Sequence, residues 1–427
     1  MSSVGPVPVQ IGDPDVERLA ELHVWGFPLV AVHRTRAAHG VGGAMAERPG
    51  LATPADRSVV APNNDTLYGS GFFDLAAGDV TIDVAPMDRP DRYWSVMLLD
   101  AYTDVQYVCR RLHGQDGASV RVTFDPARPE GPAPGGDVVR IPTRTVWILV
   151  RVLVDGPHDL AAARAARARI HVTQPTPPTP PILNDRADAP RRARPPVRRL
   201  GAVRGSRGFF VELAEALAID PPPPGLPAPP AGALDLLAGR LAGGEGDDDP
   251  VLCESGRRGR ALLRAAGSGA DRIVDGWGTR VRGADFGADV TYRAAFARVS
   301  LAGHLPVENR SYSCPVDGRQ PVELRFPPGG EPPVGAFWSL TMYGPDLFLV
   351  GNAIDRYSIG DRTPDLPRDP DGGLRIVISH DPPADPSGWL PAPDGPGAVV
   401  LRAYEGLPSV VSAEWFPPRL EPIGGTR

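Results

Sequence analysis

Short stretches in which apolar and polar residues alternate fill two regions of the chain, at about 59–154 and beyond residue 290. In the first region Val80, Ile82 and Val84 alternate with polar neighbours, and the runs RYWSVMLLDAY and TVWILVRVLV follow. In the second region PVELRFP, FWSLTMY, GLRIVISH and AVVLRAY are separated by Gly, Pro and Asp. A period of two between turn residues predicts β-strands. We therefore predict two separate β domains.

A helical spacing occurs at the start and in the middle of the chain. Asp13-Pro14 predicts an N-cap and a first helical residue, followed by a short amphipathic helix that ends by Gly26-Phe27-Pro28. Further helices are predicted in DLAAARAARARIHV, in RGFFVELAEALAI and from Val251 to Val274, whereas VQYVCRRLHG is predicted to end a strand. Residues 174–205 are rich in proline, which predicts an extended surface segment.

These elements predict a mainly β protein with a helical subdomain. Residues 1–155 form an N-terminal helix and a β-sandwich, residues 156–280 a helical and proline-rich middle segment, and residues 281–427 a second β domain of sandwich or jelly-roll type. A chain of 427 residues is long enough for two or three domains of this kind.

Composition narrows the classes of partner. The formal net charge of −6 leaves no overall basic field, so nucleic acid is not an expected partner. All basic residues are Arg, a bias explained by the excess of Ala, Gly and Pro typical of a GC-rich genome, and the absence of Lys excludes Schiff-base and P-loop chemistry. We see neither a secretory signal nor an apolar run of membrane-spanning length. Three distant cysteines favour free thiols and a cytoplasmic location.

The common catalytic signatures are missing. The eight histidines form no H-x-H or H-E-x-x-H pair, and there is no G-x-S-x-G, Walker A or dinucleotide-binding sequence. Cys109 and His113 would need a helix to meet, and the pattern there favours a strand. We therefore predict no metal and no cofactor.

What remains is a set of polar and aromatic clusters. They are Asn63 to Tyr68, Asp100 to Tyr102, Trp338 with Tyr343, Asp355 to Tyr357, and Arg402 to Tyr404. Tyrosine and tryptophan combine an apolar face with one hydrogen-bonding atom, and arginine binds oxyanions, so such groups suit a small-molecule pocket between domains. Each cluster taken alone is also explained by tyrosines that bond the backbone and by structural ion pairs.

Five longer stretches carry a resemblance to a known family. VVAPNNDTLYGSGFFDL, DRYWSVMLLDAYTD, PPVGAFWSLTMYGPDLFLVGNAIDRYSIGDR, DGGLRIVISHDPP and GWLPAPDGPGAVVLRAYE together resemble the bacterial proteins that join domain-of-unknown-function family 1254 to family 1214. The resemblance covers roughly residues 15–155 and 270–420. It implies an immunoglobulin-like β-sandwich, then a jelly-roll-like β domain, with an associated helical subdomain. The proline-rich middle segment departs from it, and the resemblance assigns no residue a role.

Two hypotheses follow for the function. The first is a small-molecule-binding protein that is a cofactor-independent enzyme, with Asp65 or Asp100 as the acid or base. Tyr68, Tyr102 or Tyr343 would donate to an oxyanion, and Arg356 would orient an anionic group of the substrate. Its ligand-binding residues would be Asn64, Tyr68, Tyr102, Trp338, Arg356 and Tyr357. The second is a non-catalytic carbohydrate-binding, ligand-binding or structural protein, in which Trp94, Trp338 and Trp389 stack on a flat ligand.

The stretch APNNDTLYG is central to both hypotheses. Asn63 to Thr66 have the properties of a rigid corner, and Tyr68 leaves on the following strand. The sequence leaves open whether Asp65 caps the backbone or faces a cavity. It also leaves open the oligomeric state.

Overall fold

Four β-sheets and a group of helices make up the fold. The computed structural model describes residues 12–40, 42–48, 50–57, 59–127, 136–175, 206–243, 249–267 and 269–423. The predicted extended segment 174–205 therefore lies outside the described residues, except for its first two. A mainly β protein with helices is confirmed.

The N-terminal half contains two sheets that enclose one apolar core. Its strands are β1 (Ala46–Glu47), β2 (Thr66–Asp74), β3 (Val80–Val84), β4 (Trp94–Asp100), β5 (Val105–Cys109), β6 (Ala118–Phe124), β7 (Val138–Ile141), β8 (Thr145–Leu153) and β9 (Ile170–Thr173). The strand orders are β1-β2-β8-β4-β5 and β7-β6-β3-β9. On β8, Val146, Ile148, Val150 and Val152 belong to this core. Because side chains alternate along a strand, Arg151 lies on the opposite face.

The C-terminal part repeats this arrangement with a six-stranded and a four-stranded sheet. Its strands are β10 (Arg272–Val274), β11 (Trp277–Thr279), β12 (Asn309–Asp317), β13 (Val322–Phe326), β14 (Val334–Tyr343), β15 (Ser358–Gly360), β16 (Leu374–Ser379), β17 (Trp389–Pro391), β18 (Pro396–Gly406) and β19 (Glu421–Pro422). The strand orders are β10-β11-β12-β18-β14-β15 and β17-β16-β13-β19. The finer assignments to an immunoglobulin-like sandwich and a jelly roll stay predictions.

The described helices are α1 (Pro14–His39), α2 (Arg110–His113), α3 (Leu160–Arg167), α4 (Ser206–Ile219), α5 (Ala233–Ala242), α6 (Pro250–Ala265), α7 (Val290–Ala297) and α8 (Pro408–Val411). The first helix packs against α4, α5, α6 and α7. Its approach to α6 is so close that a Cβ on Gly259 would lie 2.5 Å from the His23 ring. A glycine is needed there because a side chain has no space.

Two predicted element boundaries are wrong, and a third is confirmed. Helix α1 was predicted to end by Pro28 but continues to His39, because residues on every side of it are buried and this packing outweighs the hydrogen bond that proline loses. The predicted helix from Val251 to Val274 ends at Ala265; Gly267 has a φ of 69°, and β10 follows. In VQYVCRRLHG the strand ends at Cys109, and α2 forms one helical turn after it.

Candidate functional site

Two sheet faces that point away from the apolar cores meet each other and carry polar residues. One belongs to β2, β8, β4 and β5, and the other to β14 and β18. We call their shared contact region the intersheet layer: Asp65, Tyr68, Tyr93, Tyr107, Arg151, His304, Ser339, Tyr343, Arg402 and Tyr404. On β14, for example, Trp338, Leu340 and Met342 enter the C-terminal core. The alternation of a strand directs Ser339 and Tyr343 into the layer.

The segment just before β2 attaches the N-terminal half to the strands of the C-terminal half. The Tyr343 hydroxyl donates to the Pro62 carbonyl at 2.8 Å. The Asn63 side-chain amide donates to the Tyr404 hydroxyl oxygen. This amide has a fixed orientation, because its oxygen accepts from the Asp65 N–H at 2.5 Å. The segment thus forms the rigid corner that the sequence predicts.

Asp65 faces the layer with its side chain. Its Oδ2 accepts from the Ser339 hydroxyl at 2.6 Å, and its Oδ1 lies 3.9 Å from Arg362 Nη2. The residue is 4% exposed. The carboxylate therefore bonds a hydroxyl of the facing sheet, and among the described residues no backbone N–H donates to it.

Arg151 is a buried cation with few partners. It is 3% exposed and lies directly opposite Tyr68 in the β2–β8 ladder. Its Nε donates to the Tyr68 hydroxyl oxygen at 3.2 Å, and its Nη1 lies 3.7 Å from Met97 Sδ, a weak acceptor. Its guanidinium also stands 5.1 Å from the centroid of the Tyr68 ring. Within the described residues these contacts include no carboxylate.

Arg402 is the second cation of the layer. It donates to Thr341 Oγ1 at 3.2 Å and to the Ala61 carbonyl at 3.1 Å. Ala61 has a φ of 49°, in the left-handed region that non-glycine residues avoid. Such strain persists only where the surroundings enforce it, and it is common at functional sites.

Tyr404 and His304 of the layer are electrically neutral. Burial raises the pKa of Tyr404 well above its usual value, and the neighbouring Tyr68 and Asp65 add to the effect. Burial lowers the pKa of His304 well below its usual value, and the charges of Arg151 and Arg402 reinforce this. The intersheet layer contains two guanidinium groups and the carboxyl group of Asp65.

Tyr68 and His304 connect the intersheet layer with its surroundings. Both are only partly buried, whereas their neighbours Arg151 and Tyr404 are buried. His304 lies in the loop before β12, where its ring is 6.5 Å from Tyr404 and 6.1 Å from Tyr107, centroid to centroid. These two side chains therefore mark the accessible edge of the layer.

Asp100 and Tyr102 lie outside the intersheet layer. Asp100 pairs with Val146 on β8, whereas Thr66, next to Asp65, pairs with Leu153. Seven residues separate the two partners, which corresponds to roughly 20 Å along a strand. The structure therefore brings Asp65 and Tyr343 together and places Asp100 at the other end of the sheet.

Asp100 sits in a tight turn with its charge poorly satisfied. Its Oδ1 accepts from the N–H groups of Tyr102 at 2.8 Å and Asp104 at 2.9 Å. Its Oδ2 is buried without a partner among the described residues. Burial, then the charge of Asp104, raises the pKa of Asp100 to about 7, although Arg293 opposes the shift.

Around Asp220 lies a second buried polar group, which we call the Asp220 cluster: His33, Arg36, Tyr102, Thr145 and Asp220. Asp220 accepts from His33 Nε2 at 2.9 Å and from the Thr145 N–H at 2.9 Å. Its carbonyl accepts from the Tyr102 hydroxyl at 2.9 Å, and Arg36 donates to Thr145 Oγ1 at 2.8 Å. This cluster joins α1 and the end of α4 to the five-stranded sheet.

The other predicted ligand-binding residues have structural contacts. Trp338 is buried in the C-terminal core. Arg356 donates to the carbonyls of Pro386, Ser387 and Trp389, so it ties two loops together.

Two polar residues beside the corner make local contacts as well. The Tyr357 hydroxyl donates to Asp355 at 2.7 Å, and the Asn64 amide donates to the Ala52 carbonyl at 2.6 Å. Both residues lie near the edge of the layer without entering it: Tyr357 packs beside Tyr343, and Asn64 accepts from Ser358 at 3.4 Å.

The tryptophans proposed as stacking platforms are covered. Trp94 is 0% exposed, Trp338 1% and Trp389 6%. The carbohydrate hypothesis needs an open aromatic strip, and these three side chains do not provide one.

Three further features of the described residues concern metal binding, a pocket and membrane spanning. Among the described residues no group of three or more His, Cys, Asp or Glu side chains is placed to bind a metal ion. A pocket of about 460 Å³ at the C-terminal sheets is lined by Asp275, Cys314, Arg419 and other residues, none of them a predicted site residue. No helix in the described ranges is long and apolar enough to cross a membrane.

Several residues of the layer were not assigned from the sequence. Arg402 and Tyr404 appeared in a polar and aromatic cluster but received no role. Arg151 is the lone charge in TVWILVRVLV, and a single arginine inside an apolar strand is the signal that could have identified it. His304 lies in a loop, where no local pattern marks it.

Comparison with known families agrees with the predicted order of domains. Residues 43–174 match the family described as a protein of unknown function (DUF1254). Residues 308–408 match the family described as a protein of unknown function (DUF1214). No curated protein matches the chain.

Among solved structures, the chain is similar to the VPA0106 protein from Vibrio parahaemolyticus. The TM-score is 0.60 at 19% sequence identity, over 96% of this chain and 100% of that chain. An uncharacterized protein from Burkholderia cenocepacia aligns with a TM-score of 0.45 at 12% identity, over 97% of this chain and 90% of that one. At these identities the first similarity concerns the fold alone.

Proposed function

We propose that this chain, one of the proteins that combine a DUF1254 with a DUF1214 domain, binds an anionic small molecule in the intersheet layer. One observation carries the proposal: Arg151 is buried, and its hydrogen-bonding partners within the described residues are a tyrosine hydroxyl and a thioether.

Burying a guanidinium without a counterion is costly. A buried charge loses its hydration, and neutral partners replace only part of it. The aromatic face of Tyr68 compensates by on the order of 2 kcal/mol. Arg402 also donates to a hydroxyl and a carbonyl, but the carboxyl group of Asp65 acts on it. A bound anion would supply the compensation that Arg151 lacks.

Binding is favoured over catalysis by the positions of the carboxylates. Asp65 is held by Ser339, and Asp100, whose pKa is raised to about 7, lies at the far end of the sheet with Tyr102. An acid and a base that act on one substrate must both reach it. The enzyme hypothesis therefore requires Asp65 and Tyr343 to act without Asp100.

Two finer assignments belong to the same proposal. The two sheet pairs, each around its own core, are compatible with an immunoglobulin-like sandwich followed by a jelly roll. The three cysteines are free thiols, which supports a cytoplasmic location.

Equilibrium dialysis of the purified protein against a metabolite extract tests the binding, with retained compounds identified by mass spectrometry. We expect the wild type to enrich anionic compounds and Arg151→Met to lose them. Arg356→Met is the matched control, because this arginine bonds backbone carbonyls outside the layer. The proposal fails if Arg151→Met retains the same compounds as the wild type, or if the wild type enriches no anion.

A further inference from the structure

The geometry points to a monocarboxylate on a flat, apolar body as the ligand class of the intersheet layer, with Arg151 as the group that holds the carboxylate. This inference rests on the proposed function and specifies its anion. Four features of the layer support it. They are its side-chain donors, its net charge, the bonded state of its backbone N–H groups, and the aromatic side chains beside it.

Two tyrosine hydroxyls of the layer keep a hydrogen to donate. The oxygen of Tyr68 accepts from Arg151 Nε, and the oxygen of Tyr404 accepts from the Asn63 amide. Among the described residues neither hydroxyl has a further partner. Tyr343, by contrast, uses its hydrogen on the Pro62 carbonyl. Tyr68 and Tyr404 are therefore free to donate to a ligand oxygen.

His304 supplies a third free donor. The Leu305 N–H donates to the Tyr107 hydroxyl oxygen at 3.3 Å, and we assign the Tyr107 hydrogen to His304 Nδ1, 3.2 Å away. A neutral imidazole that accepts at Nδ1 carries its hydrogen on Nε2. Together with Arg151, the layer thus offers donors on several sides and few free acceptors, an arrangement that suits an oxyanion.

The charge balance fits one negative charge. Arg151 and Arg402 contribute two positive charges and Asp65 one negative charge, while Arg362, 3.9 Å from Asp65, pairs with Asp361 at 3.2 Å. The acidic residues next to the layer have cations of their own: Glu405 pairs with Arg110 at 2.5 Å, and Glu308 with Arg111 at 3.4 Å. The remaining charge is one positive unit, which a monoanion neutralises and a phosphate dianion would exceed.

The backbone around the layer disfavours phosphate for a second reason. Phosphate sites commonly use free backbone N–H groups at helix N-termini or in nests. Here β2 pairs with β8 without a break, and β14 pairs with β18 from Phe337 to Tyr343, so backbone N–H groups in these segments are already bonded to neighbouring strands. The available donors are side chains, and a planar guanidinium matches a carboxylate.

Aromatic rings and a thioether lie beside the donor groups of the layer. The Phe337 and Tyr404 rings are stacked with centroids 4.1 Å apart, and Tyr93 meets Tyr404 edge-on at 5.2 Å. Met97 lies beside Arg151. These rings are buried and packed on one another, and an aromatic, apolar environment of this kind favours a flat apolar body behind the carboxylate.

Isothermal titration calorimetry of the full chain with defined probes tests the inference. The probes are benzoate, phenylacetate, hexanoate, the neutral analogue benzamide, and inorganic phosphate. We expect benzoate or phenylacetate to bind at least tenfold more tightly than benzamide and phosphate. Arg151→Met should weaken this binding at least tenfold, Tyr68→Phe severalfold, and Arg356→Met not at all. Urea unfolding confirms that each variant is folded.

The outcomes separate the inference from the proposed function. If phosphate binds in an Arg151-dependent way and no carboxylate does, the inference fails while anion binding stands. Equal binding of benzamide and benzoate also overturns the role of the carboxylate, and binding of hexanoate alone overturns the flat body. If none of the anions binds, the inference fails, and the proposed function is then decided by the dialysis experiment.

Discussion

Two buried polar clusters lie at opposite ends of the same sheet face and differ in how completely they are bonded. In the Asp220 cluster the carboxylate accepts from His33 and Thr145, and the carbonyl of the same residue accepts from Tyr102. In the intersheet layer Arg151 has a hydroxyl and a thioether. Among the described residues the carboxylate of the first network has its donors and acts on the cation Arg36, whereas the second leaves a cation without a carboxylate and several donors open.

The difference separates a structural role from a binding role. A closed buried network fixes neighbouring elements, and its loss is felt as instability. A buried network with unpaired groups lowers stability, and a ligand that pairs with those groups would explain why they are there. Burial and polarity alone would have given both clusters the same interpretation.

Removing the carboxylate of the closed cluster should have the largest effect. Asp220→Ala leaves His33 and the Thr145 N–H buried without an acceptor. We expect the free energy of unfolding in urea to fall by about 3–5 kcal/mol. Glu212→Ala on the same helix is the control: it breaks a partly exposed pair with Arg34 and should cost about 1 kcal/mol or less. Similar losses in both variants would contradict the closed network.

Asp100 should make stability depend on pH with an unusual sign. Its folded-state pKa of about 7 lies above its ordinary value, so between about pH 4 and 7 the folded protein holds a proton that the unfolded chain releases. This contribution to stability is present at low pH and is lost as the pH rises through 7.

Asp100→Asn cannot ionise and keeps an oxygen for the Tyr102 and Asp104 N–H groups. We expect the variant to be more stable than the wild type at pH 8 by about 2–4 kcal/mol, with little difference at pH 4. Urea unfolding at both pH values measures this. A difference that does not depend on pH would show that the carboxyl does not titrate in this window.

The smallest effect is expected in the open cluster. Arg151→Met removes a buried charge but keeps an apolar side chain of similar length. Without ligand, its free energy of unfolding should stay within about 1 kcal/mol of the wild type or rise. A loss comparable to that of Asp220→Ala would mean that Arg151 is a structural residue, and the comparison between the two clusters would fail.

Much of the fold follows from local patterns in the sequence. Val80, Ile82 and Val84 alternate as a half-buried strand must, and β3 spans these residues. The extent of α1 did not follow, because Pro28 is a helix breaker in isolation and only packing against later helices reveals why the helix continues. Local signals fail where distant elements decide the outcome.

The candidate site shows the same limit. The sequence selected Asp65 and Tyr343, and the structure brings them into one layer. It also selected Arg356, whose polar atoms are used on backbone carbonyls. Which arginine is unsatisfied depends on partners 30 to 83 residues away in the sequence, so the choice between Arg356 and Arg151 requires the three-dimensional contacts.

The corner before β2 has a consequence for how the two domains can evolve and be handled. Pro62, Asn63 and Asp65 lie within the DUF1254 match, while their partners Tyr343, Tyr404 and Ser339 lie within the DUF1214 match. Each domain thus supplies hydrogen-bonding partners for polar groups of the other. A chimera that exchanges one domain between relatives must carry the corner and its two receiving strands as a single inherited unit.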